Sequence, residues 1–333
     1  IGSAVFVMRR LRFFSMLVAA VAAHAVAAGA AAEPLHLETT PISLHDEDSS
    51  VDRVGSLTFL GGLRLSSSHQ QFGGLSGLAV SPNGRRLTFV TDDGSWIRAV
   101  PTYDSQGRLI GIASAEIGRL LRPDGQPVRG KREGDAESLS RTRGGFLVSF
   151  EHQHRFWLYD GGPNPFLNQP GIIAAPRALG GRARNRGIEA ATLLDDGRLF
   201  ALAENFPRDV PHVMGWVRER ERWRALTYER TALFHPAGAA TLPDGDVLIL
   251  ERRFTYVGGF ASRLVRVPLA SLQSAEPISG RELARLEPPL VEENFEGMDV
   301  RRDAAGRTLV YLISDDNFFP LQRTLLLLFA IRP

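Results

Sequence analysis

The 333-residue chain has no cysteine, so disulfides, thiol nucleophiles and zinc–thiolate centres are excluded. It has one lysine, Lys131, although lysine and arginine together number 39 against 37 acidic residues. Without three arginines in the leader described below, the balance is 36 basic to 37 acidic residues. No basic block with interleaved aromatics occurs, which speaks against a nucleic-acid partner. Long helical periodicity is missing. After the leader no apolar stretch is long enough to cross a bilayer, and the eight-residue TLLLLFAI (324–331) reads as a buried strand. There is no P-loop and no dinucleotide fingerprint. GLSGL (74–78) lacks the final glycine of a serine-hydrolase elbow, so Ser76 is not read as a nucleophile.

What is present begins with a leader. Residues 1–7 precede Met8 and read as upstream sequence. From Met8, MRRLRFF is followed by an apolar stretch and an Ala-rich end, the pattern of a secretory signal peptide cleaved near Ala32. The expectation is an exported protein, periplasmic or secreted, with no stable membrane span after cleavage. Residues 33–50, polar and punctuated by proline, are expected to form an extended lead-in, and 51–333 a single domain.

Within that domain one pattern recurs five times: LSGLAVSPNGRRLTFVTDDG (75–94), AESLSRTRGGFLVSFEHQ (136–153), IEAATLLDDGRLFALAEN (188–205), AGAATLPDGDVLILERR (237–253) and FEGMDVRRDAAGRTLVYLISDDN (295–317). Each is a short strand, a turn with glycine, and an apolar run ending in acid. The turn glycines, Gly84, Gly145, Gly197, Gly245 and Gly306, are spaced 48 to 61 residues apart. Asn-Gly and Asp-Gly supply the positive φ of tight hairpins, and the Val/Leu/Ile/Phe/Thr flanks suit strands. One or two further strand candidates follow each pair, including WIRAV, FWLYD, GWVRE, SRLVRVPL and TLLLLFAI. A unit of ~50 residues with several strands predicts an all-β fold, a β-propeller. The repeat count gives five blades. Six are possible if the N-terminal region adds one, and a β-sandwich is the competing architecture. The leftover segment SLTFLGGLRL (56–65) is expected to close the ring by pairing with the C-terminal blade.

The acids fall at matching places. Glu137, Glu189 and Glu296 lie in the first strand of their units, with Ser76 and Ala237 at the corresponding positions. The second strands end in Asp92-Asp93, Glu151, Glu204, Glu251 and Asp315-Asp316. The start of one hairpin strand lies beside the end of the next, so both sets are expected at one channel mouth. Such a cluster needs neutralising, by arginines (Arg252, Arg253 and Arg132 are near in sequence), by shared protons, or by a hard divalent cation such as Ca2+. His152 and His154, alternating along EHQHRFW, form a weaker metal pair.

The blocks GGLSGLAV, GDAESL, GIEAAT and NFEGMDV, with the terminal SDDNFFPLQRTLLLLFAI, resemble the bacterial phytase-like family, or "esterase-like activity of phytase" family, over about residues 53–332. The resemblance implies a propeller and hydrolysis of phosphate or carboxyl esters. In propeller phytases, acid-held calcium binds phosphate and activates water, and lysines and arginines hold phosphate. A chain with one lysine puts phytate itself in doubt. The reading that follows is an ester hydrolase acting on a small-molecule ester or phosphoester. Glu137, Glu189, Glu296 and Asp315 serve as ligands or general base, and Arg252, Asn205 and Asn317 contact substrate. The metal-ligand set is Glu137, Glu189, Glu296, Glu204, Asp92 and Asp316, with no organic cofactor. The alternatives are a non-catalytic binding propeller and a calcium-dependent lactonase-type propeller.

Overall fold

The computed structural model describes residues 32–180, 187–207, 210–231 and 233–332. The leader call falls on residues 1–32, of which 1–31 lie outside the described residues. Among the described residues, twenty-three strands and three short 3-10 turns build five antiparallel sheets, the blades of a five-bladed propeller. No sixth blade occurs among the described residues.

The innermost strands are β1 (Leu75–Val80), β2 (Ala136–Arg141), β3 (Ile188–Leu193), β4 (His235–Thr241) and β5 (Phe295–Arg302), numbered by blade. Each neighbours the next, and the fifth returns to the first, so together they ring the channel. Each pairs with the second strand of its hairpin: Leu87–Thr91, Gly145–Phe150, Leu199–Ala203, Val247–Thr255 and Thr308–Ser314. The turn glycines Gly84, Gly197, Gly245 and Gly306 have φ between 70° and 92°, as tight turns require.

Closure uses the segment left over in the sequence. Strand Leu57–Ser66 pairs antiparallel with Thr324–Ile331 and completes the fifth blade. Within 33–50, Glu33–Leu35 adds to the outer edge of the first blade and Glu38–Ile42 to that of the fifth.

The core is five apolar layers, one between each pair of adjacent blades. TLLLLFAI shows why its strand is apolar throughout. Successive side chains point to opposite faces. Leu325, Leu327 and Phe329 enter the layer against the fourth blade, and Leu326, Leu328 and Ala330 the layer against the first. A strand buried on both faces has no polar face to alternate with.

Candidate functional site: a carboxylate mouth

Every inner strand carries a β-bulge at the same place. Register skips one residue opposite the second strand at Ser76, Glu137, Glu189, Ala237 and Glu296. A bulge leaves its residue out of the ladder and re-aims the side chain. The residues that follow are small: Gly77, Ser138, Ala190, Gly238 and Gly297. The reason is the adjacent inner strand. A Cβ on Gly238 would lie 2.8 Å from the Glu296 carbonyl oxygen, and one on Gly77 2.9 Å from the Leu139 nitrogen.

Beyond the bulge, five residues at the ends of the second strands occupy equivalent positions. The amides of Asp92, Glu151, Glu204 and Asp315 donate to the carbonyls of Gly74, Asp135, Gly187 and Asn294, while in the fourth blade Arg252 lies opposite His235. The alignment of Glu251 with the other strand-end acids is therefore corrected by one residue. Glu251 pairs with Pro236 and is fully buried away from the mouth, accepting from the Tyr228 hydroxyl at 2.6 Å and from Arg263. The mouth position in that blade holds a cation, Arg252.

Arg252 neutralises one side. Its guanidinium is 3.2 Å from Glu296 and 3.4 Å from Glu204, and donates to Asn294 Oδ1 at 2.7 Å. Asn294 in turn donates to Glu296 Oε1 at 2.8 Å. Burial works against the Arg252 charge, but Glu296, Glu204, Glu189 and Glu137 outweigh it and hold the group above its ordinary value. Lys131, from the loop joining the first two blades, enters the other side. It is 2.7 Å from Asp92 Oδ2 and 3.7 Å from Asp135 Oδ1.

Between these cations lies the least compensated part. One oxygen each from Asp135, Glu137 and Glu151 lie within 4.8 Å of one another. Asp135 Oδ2 meets His152 Nδ1 at 2.7 Å, and Glu151 Oε1 accepts from the Gly187 amide at 2.9 Å. Asp135 Oδ1 is buried with no hydrogen-bond partner, and so is Asp92 Oδ1. Burial first, then Glu189, Glu296, Asp135 and Glu151, push the Glu137 carboxyl well above the carboxylate range. Glu189 is pushed up by burial, then by Glu204 and Glu151, and Asp315 by burial, then by Glu296. Glu151 and Glu296 move the same way, burial first.

These residues fit a hard cation. All the donors are oxygens, one of them has no hydrogen-bond partner, and the spacing matches ligands shared by one ion with bonds of about 2.3–2.6 Å. The tightest set is not the one expected. Glu137 belongs to it, and Asp135 and Glu151 join it. Glu296 and Glu204 face Arg252, and Asp92 faces Lys131. Asp316 is taken up by hydrogen bonds, accepting from the Gly74 amide of the first blade at 3.0 Å, the Phe318 amide at 3.1 Å and the Thr324 hydroxyl at 2.9 Å. Asn317 has a φ of 49° and bonds Gln322 at 2.8 Å, a turn role, and Asn205 lies in the loop after Glu204. His152 and His154 do not alternate along a strand, because residues 151–154 form the turn ahead of Arg155–Asp160. Lys131 and Asp135 carried no repeat signal. Only the second blade has an acid two residues before its bulge.

Fold and site define a five-bladed propeller with a carboxylate-lined mouth. The profile of the Phytase-like family, described as esterase-like activity of phytase, matches residues 70–318, and the chain belongs to that family. No curated protein matches it. Among solved structures it is similar to a protein of unknown function from Dyadobacter fermentans, at TM-score 0.41 and 11% identity over 90% of this chain and 99% of that one. It is also similar to Raptor from Chaetomium thermophilum, at TM-score 0.41 and 13% identity over 90% of this chain and 30% of that one. At that level of similarity neither bears on function.

Proposed function

We propose that the protein is an exported hydrolase of carboxyl or phosphate esters, whose mouth holds a divalent cation, with calcium the first candidate. The observation that carries this reading is the convergence of Asp135, Glu137 and Glu151, with Asp135 Oδ1 buried and without a hydrogen-bond partner. A bound divalent ion supplies Lewis acidity towards an ester oxygen. The chain's own residues supply the rest. Asp135, Glu137 and Glu151 hold the ion. Glu189, made more basic by burial and by Glu204, is suited to accept a proton from attacking water. Arg252 holds Glu204 and Glu296 in place and presents positive charge to an oxygen that becomes anionic. The signal-peptide pattern supports export. The family supports ester chemistry.

A second reading, a binding propeller without catalysis, is favoured by one feature: Arg252 is already occupied by Glu204, Glu296 and Asn294. Hydrolysis of 4-nitrophenyl acetate and 4-nitrophenyl phosphate, with calcium and with chelator, separates the two. The hydrolase reading predicts chelator-sensitive turnover that falls at least about 100-fold in Glu189→Gln. Absence of turnover on either ester, with the protein folded and calcium-loaded, leaves the binding propeller.

A further inference from the structure

Two loops beside the mouth carry large apolar side chains with no cover. The hairpin after Arg252 exposes Phe254, Tyr256 and Val257, and the loop after Asp315 exposes Phe318, Phe319 and Leu321. Tyr256 and Val257 are fully exposed and Leu321 is 82% exposed. The loops belong to adjacent blades and flank one segment. A Cβ on Gly259 would lie 3.6 Å from Glu292 Oε1, and Arg323 reaches Glu293 at 2.6 Å. That segment runs into Asn294 and Glu296 of the mouth.

The second loop is built to present its rings. Asn317 and Phe318 both have left-handed backbone, with φ of 49° and 51°. For a bulky side chain this is an outlier that persists only where surrounding contacts fix it. Here Asp315 accepts from the Asn317 amide at 2.7 Å and Asp316 from the Phe318 amide at 3.1 Å. The result places the Phe318 ring against Gly73 and Gly74. A Cβ on Gly74 would lie 2.8 Å from Phe318 Cε2 and would collide with Asp92 Oδ1. The apolar rim therefore begins where the carboxylate mouth ends.

Charge decides what can lie across both. Eight carboxylates (Asp92, Asp135, Glu137, Glu151, Glu189, Glu204, Glu296 and Asp315) face Lys131 and Arg252. Lys131 is already paired with Asp92 and Asp135, and Arg252 with Glu204, Glu296 and Asn294. A phosphomonoester dianion would have to draw these cations away from their carboxylates, and an uncharged ester would not.

Building on the hydrolase reading, we propose that the substrate is an uncharged carboxyl ester with an apolar acyl or aryl group. That group lies on the rim of Phe254, Tyr256, Phe318 and Phe319, and the ester sits over the mouth. Hydrolysis adds water across the acyl C–O bond and yields the acid and the alcohol, so water is the only co-reactant.

The test compares kcat/KM for 4-nitrophenyl acetate, hexanoate and phosphate in calcium, and binding of the neutral dye Nile red. Four further methylenes, fully buried, correspond to roughly 200-fold, and a half-open rim retains at least about tenfold for hexanoate over acetate. In the Tyr256→Ser/Phe318→Ser variant that ratio falls to about twofold, and Nile red fluorescence falls with it. Turnover with a flat acyl-length profile, or with phosphate preferred, overturns the proposal and leaves the hydrolase reading standing. No turnover on any ester, with dye binding lost in the variant, sinks the hydrolase reading and supports the rim as an apolar acceptor. Dye binding unchanged in the variant overturns the rim in either case.

Discussion

At the residue scale, one position shows how a buried charge network divides a site. Arg252 stands where four other blades carry an acid, and among the described residues it is the cation paired with both Glu296 and Glu204. Removing one member of such a network leaves the others as uncompensated charge. Arg252→Met is expected to cost on the order of 2–4 kcal/mol in urea unfolding at neutral pH, and less once Glu296→Gln is added. Asp299, further down the fifth inner strand, gives a separate pH signature. Burial raises its carboxyl from 3.8 to about 6, although Val80 and Val300 amides donate to it at 2.6 and 2.8 Å. The folded state thus keeps a proton that the unfolded chain releases. Its contribution is present below about pH 4 and is lost as pH rises through about 6. Between those limits stability falls by on the order of 2 kcal/mol from this group, and Asp299→Ala flattens that part of a pH series of urea melts.

At the element scale, the recurring stretch is explained by the bulge. Its two requirements differ in how far sequence shows them. The small residue after each bulge answers to the neighbouring backbone, so it repeats as Gly, Ser or Ala and is visible in GLSGLAV, DAESL, GIEAATL, PAGAATL and NFEGMDV. Gly238→Val pushes a side chain into the Glu296 carbonyl. It is expected to cost about 1–3 kcal/mol by overpacking and to weaken calcium binding, measurable by thermal melts with and without the ion. The skipped register itself is silent in sequence. Counting along the second strand made Glu251 equivalent to Glu204, whereas pairing makes Arg252 the equivalent. Asp135 is hidden in the sequence for a related reason. Gly74, Gly187, His235 and Asn294 fill its position in the other blades, so no repeat marked it.

At the scale of the whole molecule, ring closure joins the two ends of the described chain. Turn glycines and apolar runs are local signals, which is why five blades and the closing strand were legible. The family match, at 70–318, leaves out both strands that close the ring. A chain begun at residue 70 lacks Leu57–Ser66 and exposes the apolar layers on both sides of the fifth blade. It is expected to lose cooperative unfolding by circular dichroism, and supplying residues 33–68 as a peptide is expected to restore it.

The account turns on the mouth being a cation site, and calorimetric titration of the chelator-treated protein with calcium tests this most directly. The structure predicts one site per chain, with affinity reduced at least about 30-fold in Asp135→Asn and in Glu137→Gln, each variant losing one carboxylate ligand. It also predicts little change in Asp316→Asn, whose carboxylate is taken up by Gly74, Phe318 and Thr324. No saturable heat up to millimolar calcium, or binding untouched by Asp135→Asn and Glu137→Gln, would contradict it.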